Sequence, residues 1–311
     1  MISYFFKRVL GSIPTLFLLC VFLFFLLRLA PGGPFDGERA FPPEVMAQIQ
    51  KNYGLDQPLL KQFWVWFQHL LMGDLGESFQ YLGRSVSEIL GDAMGPSFQL
   101  GIVSIFISLL IGIPLGVLSA WKQGTWMDSS AMFFAVAGIS LPSYLIASLL
   151  VLIFSIQLGW LPAALWEGPE SFVLPVITLS LRPIAIIARL VRSSVLDVLA
   201  SDFIRTAHAK GLPTWKILFK HALKNSLIPV ITVLGPIAAS LVTGSFLVEM
   251  IFQIPGLGKH FVTAVLNRDY PLVMGIALFY GVFLVFANLF SDLLCALADP
   301  RIRLEKGAES S

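Results

Sequence analysis

Charged residues are scarce in this chain. Asp, Glu, Lys and Arg make up only 13% of the 311 residues, whereas about 25% is usual for a soluble domain. Hydrophobic residues reach 56%, and the mean hydropathy is +0.81. This composition excludes an ordinary soluble domain and predicts an all-α protein that crosses a membrane several times. The net charge of +2 is too small to indicate binding to nucleic acid.

Residues that carry catalysis or bind metals are also few. The two cysteines, Cys20 and Cys295, both lie in apolar segments, and the four histidines are scattered. The sequence contains no phosphate-binding loop of the form G-x-x-x-x-G-K-[ST], no H-E-x-x-H and no C-x-x-C. We therefore expect no disulfide framework, no metal site, no bound cofactor and no ATPase site. The chain is predicted not to be an enzyme by itself.

Six apolar stretches are each long enough to cross a bilayer, which takes about 20 helical residues. They lie near residues 9–29, 98–120, 130–158, 172–195, 227–251 and 273–297. The first begins like a signal peptide, but it is too long and lacks a cleavage site, so we expect it to remain as a helix. Four glycines in the later stretches are expected to let helices approach closely: Gly112, Gly116, Gly138 and Gly235.

The distribution of basic residues predicts the orientation. With a cytoplasmic N-terminus, the inner segments (1–8, 121–128, 197–226 and 299–311) hold eleven Lys or Arg in 59 residues. The outer segments (31–96, 158–171 and 252–272) hold six in 101 residues. Cytoplasmic loops are the ones enriched in Lys and Arg, so both termini are predicted to be cytoplasmic.

The first outer loop, residues 31–96, is patterned and long. Helices are predicted over 43–53, ending before Gly54, and over 58–71, and a third begins at a capping box formed by Ser85 and Glu88. The loop is therefore expected to form a small helical cap. The second helix carries an apolar stripe of Leu59, Phe63, Trp66, Phe67 and Leu70. We expect the stripe to pack on the other helices or at the membrane interface rather than bind a ligand. The loop's acidic residues are consistent with a docking surface for a soluble partner or with a solvated face.

A polar, basic segment over residues 202–229 interrupts the hydrophobic second half. The sequence predicts two short helices separated by Gly211, Leu212 and Pro213, with Ser201 as N-cap, Gly211 in the left-handed conformation and Pro213 in the first turn of the second helix. Four residues are expected on one apolar face: Phe203, Ile204, Ala207 and Leu212. On charge alone, the segment is equally consistent with a basic loop that only obeys the positive-inside rule.

The spelling of this segment resembles the cytoplasmic EAA loop of bacterial ABC importer permeases. Residues 205–211 read RTAHAKG, and the peptide and nickel branch of the family has R-T-A-x-A-K-G, with Arg205 in the usual glutamate position. Pro229 comes later than in the general motif. Further motifs similar to the B-type permease subunit of oligopeptide importers follow in order: RLAPGGPFDGERAFPPEVM (28–46), GDLGESF (73–79), GSFLVEMIFQIPGLG (244–258), LNRDYP (266–271) and ADPRIR (298–303).

The resemblance implies the type I ABC importer permease fold and a set of partners. These are a second homologous permease subunit, two cytosolic ATPase subunits that use ATP and Mg²⁺, and a periplasmic peptide-binding protein. The chain divides into an N-terminal membrane helix (1–30), a periplasmic loop (31–96), a permease core (97–297) with a coupling loop (197–226), and a cytoplasmic tail (298–311). The location is the bacterial inner membrane, and the implied substrates are oligopeptides. Dipeptide, glutathione and nickel permeases share most of these motifs.

The same resemblance assigns the cytoplasmic loop to ATPase coupling. The implied coupling residues are Asp202, Arg205, Thr206, Ala207, His208, Lys210 and Gly211. Ala207 is expected at a position where a bulky side chain would prevent close contact with the groove of the ATPase. Gly211 is expected at the position where the chain must leave the helical conformation.

A translocation pathway is predicted at Arg182, Glu249, Pro255 and Gly256. Arg182 lies about ten residues into the fourth apolar stretch, where the family is expected to have an apolar or small residue. A guanidinium there must face the bundle interior or a watery cavity, since it costs on the order of 3 kcal/mol in lipid. It either pairs structurally or meets peptide carboxylates. The turn-rich segment from Glu249 to Pro255, Gly256 and beyond suggests a re-entrant loop, for which a structural and a functional role are equally open.

An ion-coupled secondary transporter is the alternative from another class. It would need intramembrane carboxylates and usually an internal repeat. Only Glu249 and Asp292 lie near span ends, and the two halves of the sequence share no motif. An intramembrane enzyme would need a nucleophile and a base, and no such pair is evident. Copurification distinguishes these classes, because an ABC permease brings down ATPase subunits and a secondary carrier does not.

The predicted topology places Gln80 outside and Thr214 inside. We expect a cysteine at position 80 to react with an impermeant thiol reagent added to intact spheroplasts, and a cysteine at position 214 to stay unlabelled. The reverse labelling pattern would overturn the topology.

Overall fold

The structure is a computed structural model that describes residues 2–30, 32–35 and 42–298. The described residues are almost entirely helical, and their one β-bridge joins Glu77 and Ser85. The helices of the first third are α1 (Ile2–Leu29), α2 (Pro43–Asn52), α3 (Leu59–Leu71) and α4 (Val86–Trp121). Next come α5 (Trp126–Ser140), α6 (Ser143–Leu150), which continues as a π-helix (Val151–Gln157), and α7 (Val173–Leu199) after a 3₁₀ turn (Pro169–Phe172).

The remaining helices follow the basic segment. They are α8 (Asp202–Ala209), α9 (Thr214–Lys216) with a π-helical turn (Ile217–Ala222), α10 (Leu223–Ser226), α11 (Ile228–Val242), α12 (Phe246–Ile251), α13 (Leu257–Leu266) and α14 (Tyr270–Ala298). The segment 36–41 of the first long motif lies outside the described residues, as do residues 299–311, which include most of ADPRIR and the predicted tail.

The chain forms two compact units that cut across the sequence-based division. The first comprises Met1–Gly95 and Pro255–Phe283, and the second comprises Pro96–Ile254 and Leu284–Ser311. The first long loop thus shares a unit with the segment that carries LNRDYP. The second unit holds the basic segment 202–229 and the helices that lead to it.

Aromatic side chains hold α1 and α3 together in the first unit. The Phe24 ring is fully buried, and its centroid lies 5.2 Å from that of Phe63 and 5.7 Å from that of Trp66. Phe67 packs edge-on against Phe17 at 5.5 Å. These contacts confirm that the stripe on α3 packs against another helix. Its burial explains why the stripe is aromatic, since such rings bury large areas and prefer edge-to-face pairs.

The buried carboxylate of Asp269 joins two motifs of the first unit. It accepts hydrogen bonds from the Ser78 hydroxyl and from the backbone N–H groups of Phe79 (3.1 Å) and Gln80 (3.2 Å). Beside it, Arg268 donates to the Gly33 carbonyl at 3.2 Å. Since a buried charge is tolerated only where it is fully hydrogen-bonded, Asp269 fixes GDLGESF against LNRDYP.

Helix α7 is the centre of the second unit. In its most apolar window 61% of residues are buried, against 39% or less in the other long apolar helices. It contacts α5, α6, α10, α11 and α12. The hydroxyls of Ser108 on α4 and Ser180 on α7 each bond to a backbone carbonyl of the other helix. Because α7 is surrounded by other helices, it positions whatever the second unit presents.

Three predicted segments differ in the structure. The stretch 130–158 is not one straight helix, because α5 and the helix from Ser143 to Gln157 meet at 104°. Pro142 explains this break, since it lacks an N–H and cannot continue α5. The stretch 227–251 is interrupted between α11 and α12, where Gly244 has φ +96°. The helix that begins at the Ser85 capping box runs on as α4 through Pro96 into the second apolar stretch.

Glycines on α4 allow α7 and α11 to approach its backbone. A Cβ on Gly116 would lie 2.6 Å from the Ala188 carbonyl oxygen, and one on Gly101 would lie 2.7 Å from the Val242 Cα. Gly112 and Gly235 are also tight, as predicted, whereas Gly138 makes only ordinary contacts at 3.6 Å. Close backbone contact of this kind replaces the hydrophobic driving force that is missing between helices in lipid.

We expect Gly116→Ala to destabilise the protein by about 1–3 kcal/mol, because the added methyl meets backbone that cannot move aside. Gly95→Ala is the matched control on the same helix, since nothing lies within 4 Å of its added Cβ. The control should be neutral or stabilising by up to about 1 kcal/mol. Thermal unfolding followed by size-exclusion fluorescence measures both. Equal melting temperatures for the two variants would contradict the packing described here.

Candidate functional site

The predicted coupling loop begins where α7 ends, and its first helix is closed by a Schellman motif. The N–H of Leu212 donates to the Ala207 carbonyl (3.3 Å), and the N–H of Gly211 donates to the His208 carbonyl (2.9 Å). Gly211 has φ +73°, the left-handed conformation predicted for it. The chain therefore reverses sharply after α8.

Two predicted caps differ in detail. Ser201 stands at the N-cap position of α8, but its hydroxyl donates back to the Val198 carbonyl at 2.5 Å and does not cap the helix. Pro213 is the N-cap residue before α9 and not part of its first turn. The helices end and begin on either side of the predicted break. The roles predicted for Ser201 and Pro213 at the helix ends are not the ones observed.

The loop has a small apolar core of its own. Ile204 and Ala207 on α8 pack against Ile217 and Ala222 of the returning segment, and Leu212 joins them. Ala207 is only 7% exposed. This corrects the expectation that Ala207 presents its surface to an ATPase groove, because its neighbours within the chain already cover it. Ala207 instead fixes α8 against the returning segment.

The exposed side of the loop combines aromatic and charged side chains. Phe203, Trp215 and Phe219 are 46%, 63% and 59% exposed. Phe203 was expected on one apolar face with Ile204, Ala207 and Leu212, and the structure separates it from them, since those three pack in the loop's core and Phe203 is exposed. The other predicted coupling residues are also exposed: Asp202, Arg205, Thr206, His208, Lys210 and Gly211. We call Phe203, Trp215 and Phe219, together with these six exposed residues, the outer loop surface. The name refers to the solvent-exposed side of residues 202–219 and not to the first outer loop.

Sequence analysis missed Trp215 and Phe219. Their spacing of four residues was the available signal, since residues at i and i+4 share a helix face. Large apolar groups left exposed beside charges mark interaction surfaces.

A buried ion pair anchors α7 just before the loop. The Asp128 carboxylate, at the start of α5, receives two hydrogen bonds from Arg192, from Nε at 2.6 Å and from Nη2 at 2.7 Å. The Ser119 hydroxyl and the Gly124 N–H (3.0 Å) also donate to it. Four donors thus converge on one carboxylate, and α7 is tied to α4 and α5 two turns above the loop. Sequence analysis had no signal that pairs residues 64 positions apart.

Arg182 lies on the wall of a cavity of about 560 Å³ within the second unit. The wall is formed by the break between α5 and α6, the middle of α7 and the end of α11. Its residues are Gly138, Ile139, Ser140, Leu141, Pro142, Ser143, Ile146, Thr178, Leu179, Arg182, Pro183, Ile186, Pro236, Ile237, Ser240, Leu241 and Ser245. Arg182 is the only charged residue among them. The guanidinium therefore faces a cavity, one of the two settings predicted for it.

The other predicted pathway residues do not line this cavity. Glu249 is fully buried, and its Oε1 accepts a hydrogen bond from the Ser97 hydroxyl at 2.8 Å. This corrects the expectation that Glu249 borders a pathway, since the carboxylate faces the protein interior in this structure. Gly256 is the buried N-cap residue of α13 in the first unit, preceded by the exposed Pro255. Among the described residues, no group of three or more His, Cys, Asp or Glu side chains is arranged to hold a metal ion.

Solved structures of similar fold define the class of protein. The chain aligns with the MetNI methionine ABC transporter, in a structure of its inward-facing conformations, with a TM-score of 0.55 at 16% identity, over 68% of this chain and 97% of that chain. An amino acid ABC transporter with histidines aligns with a TM-score of 0.51 at 17% identity, over 69% and 94%. These similarities establish the fold of a type I ABC importer permease.

Family models and curated relatives cover nearly the whole chain. The model for the binding-protein-dependent transport system inner membrane component matches residues 112–304, and the model for the N-terminal part of such a membrane component matches residues 1–99. The chain belongs to this family of inner-membrane permeases.

Two relatives illustrate the range of similarity. The oligopeptide transport system permease protein OppB of Haemophilus influenzae is 45% identical over 97% of this chain and 100% of its own length. The dipeptide transport system permease protein DppB of Bacillus subtilis is 43% identical over 98% and 99%.

We expect Asp128→Asn to destabilise the protein by about 1–3 kcal/mol, because the partly buried Arg192 then loses the charged acceptor of its two hydrogen bonds. Exchanging the pair, Asp128→Arg with Arg192→Asp, should not restore stability, since Ser119 and Gly124 would then donate toward a cation. Arg84→Ala is the control, because the Arg84–Asp92 pair is exposed and such pairs contribute about 0–1 kcal/mol. Thermal unfolding compares them, and full rescue by the exchanged pair would contradict the role given to the two additional donors.

Proposed function

We propose that this chain is the membrane permease subunit of an ATP-driven importer that carries oligopeptides from the periplasm to the cytoplasm. The observation that carries the proposal is the 45% identity, along the whole chain, to a permease named for oligopeptide transport. The outer loop surface supports it, because an importer permease without an ATP site needs an exposed surface through which ATPases act on it.

The proposal includes the partners of such a complex. A second homologous permease, two cytosolic ATPase subunits that use ATP and Mg²⁺, and a periplasmic peptide-binding protein complete the transporter. The chain itself binds no cofactor and hydrolyses no ATP, and it lies in the bacterial inner membrane with both termini in the cytoplasm. ATP-driven closure of the ATPases pulls on the loop, and the bundle switches between two arrangements.

Transport of dipeptides is the second candidate function. The 43% identity to a dipeptide permease favours it almost as strongly. Glutathione and nickel importers remain further alternatives on the motifs alone.

Uptake by the reconstituted complex decides among these substrates. The chain is coexpressed with its genomic neighbours, purified and placed in proteoliposomes with the binding protein enclosed or added on the binding side. We expect ATP-dependent uptake of labelled tetra- and pentapeptides. Uptake of dipeptides alone would transfer the chain to the second function, and uptake of nickel or glutathione alone would overturn the peptide assignment. Copurification without any ATPase would overturn the whole proposal.

A matched pair of tryptophans tests the coupling surface. We expect Trp215→Ala to weaken association with the ATPase subunits by about tenfold or more, since an exposed aromatic that becomes buried in an interface is a typical hot spot. Trp160→Ala is the control, because Trp160 is similarly exposed (69%) but lies on the predicted outer side. Copurification of the ATPases and ATP-dependent uptake are measured together.

Ala207→Asp provides the contrasting defect in the same test. It places a charge in the loop's apolar core, so it should lower the stability of the loop itself, which limited proteolysis detects. If Trp215→Ala and Trp160→Ala retain the ATPase subunits equally well, the outer loop surface is not the site at which the ATPases bind.

A further inference from the structure

The two arginines of α7 that lie ten residues apart are satisfied in different ways. Arg192 has a buried carboxylate partner within the chain, Asp128. Arg182 has no hydrogen bond or ion pair within the part of the chain that the structure describes, and its side chain is exposed toward the cavity. A guanidinium near the middle of a membrane helix costs about 2.5–3.5 kcal/mol even on the lenient insertion scale. Such a group is retained where it meets water, a partner or a ligand.

The cavity is half open, and its volume is one that small ligands occupy. Its volume of about 560 Å³ falls within the range of roughly 300–1,000 Å³ that is usual for small-ligand sites. Most of its wall is apolar, with a few hydroxyl groups around Arg182. Site geometry of this kind, an apolar wall with a small number of convergent polar groups, orients a ligand by those polar groups.

The hydroxyl groups on the wall present oxygen acceptors. Thr178, Ser140 and Ser240 each donate their hydroxyl hydrogen to a carbonyl of their own helix, at 2.8, 2.9 and 2.9 Å. Thr178 is buried, but Ser140 and Ser240 are exposed, so their oxygen lone pairs remain available to accept N–H groups. The cavity wall carries no carboxylate, so it has no counter-ion for an ammonium group.

One guanidinium, several hydroxyl oxygens and no carboxylate suit the C-terminal end of a peptide better than its N-terminal end. A guanidinium binds a carboxylate with two parallel hydrogen bonds, and hydroxyl oxygens accept from peptide N–H groups. Ser143, the first residue of α6, lies on the same wall, and the start of a helix also favours a negative charge. The N-terminal ammonium of a peptide finds no such complement here.

We propose that Arg182 binds the carboxylate of a peptide substrate in this cavity and that the C-terminal end of the peptide occupies it during translocation. This inference rests on the proposed function, since it needs a peptide in the pathway. It makes Arg182 a specificity-determining residue for substrates with a free carboxylate. An acidic side chain has the same chemistry, so the test separates the two sources.

The experiment compares three peptides in proteoliposomes that contain the complete transporter. One is a neutral tetrapeptide with a free C-terminus, the second is its C-terminal amide, and the third is the amide with one Glu side chain. Uptake rates are measured at saturating binding protein, so that differences in loading are removed. The variants are Arg182→Gln and Arg182→Lys, with Arg189→Gln as the matched control on the same helix, because Arg189 does not line the cavity.

We expect the unmodified transporter to favour the free acid over the amide by about tenfold or more, as loss of a charge-assisted hydrogen bond predicts. Arg182→Gln should reduce uptake of the free acid by the same factor and leave uptake of the amide unchanged. Arg182→Lys should retain part of the preference, and Arg189→Gln should retain all of it. The amide with a Glu side chain should be compared with the neutral amide. If the Glu side chain raises uptake only when Arg182 is present, the subsite also accepts acidic side chains.

Three outcomes would overturn the inference. An unchanged ratio of acid to amide in Arg182→Gln, with the complex intact by size-exclusion chromatography, would remove Arg182 from substrate recognition. Loss of the second permease from both Arg182→Gln and Arg182→Lys would make Arg182 a structural partner. A transporter that imports no peptide at all would refute the proposed function and this inference with it, whereas import with an unchanged ratio refutes the inference alone.

Discussion

The ion pair between Arg192 and Asp128 fixes the inner half of α7, and both candidate surfaces of this chain depend on that helix. Arg182 lies ten residues before Arg192, or about 15 Å along the axis at 1.5 Å per residue. The loop begins seven residues after Arg192, where α7 ends at Leu199. Under the proposed function, a displacement of the loop would reach the cavity wall through this closely packed helix. Under the proposed function, α7 is the mechanical link between ATPase and substrate.

Three buried carboxylates in the described part of this apolar chain follow a common rule, and Arg182 is an exception to it. Asp128 is satisfied by four donors, Asp269 by a hydroxyl and backbone N–H groups, and Glu249 receives a hydrogen bond from Ser97. Each of these carboxylates is buried and ties separate segments together. Arg182 instead faces a cavity without a partner in the described chain. Since an unsatisfied charge is costly, the exception points to the place where another molecule completes the structure.

Relatives named for different substrates are similar to this chain to nearly the same degree. Permeases named for oligopeptides and for dipeptides are 45% and 43% identical to this chain over nearly its full length. Solved transporters for amino acids share its fold at 16–17% identity. Because one fold serves transporters named for different substrates, the arrangement of helices by itself does not define the substrate of this chain.

Local features were well predicted because their causes are local. Helix lengths follow from apolar runs that must satisfy their own backbone in lipid, and the turn at Gly211 follows from a residue that adopts positive φ without strain. The capping box predicted from the sequence is present, with reciprocal hydrogen bonds between Ser85 and Glu88. The break at Pro142 was not predicted within the stretch 130–158, since a bend of 104° depends on what packs around the proline.

The membrane class, the family, the position of the basic loop and the costly arginine in the fourth apolar stretch could all be read from the amino-acid sequence. Only the tertiary structure decided which face of α8 is buried, because Ala207 is covered by a segment that returns ten residues later. It also decided that Asp128 meets Arg192 and that Arg182 faces a cavity. These outcomes depend on contacts between residues far apart in the chain, and hydrophobic periodicity within one helix carries no information about which neighbour will cover it.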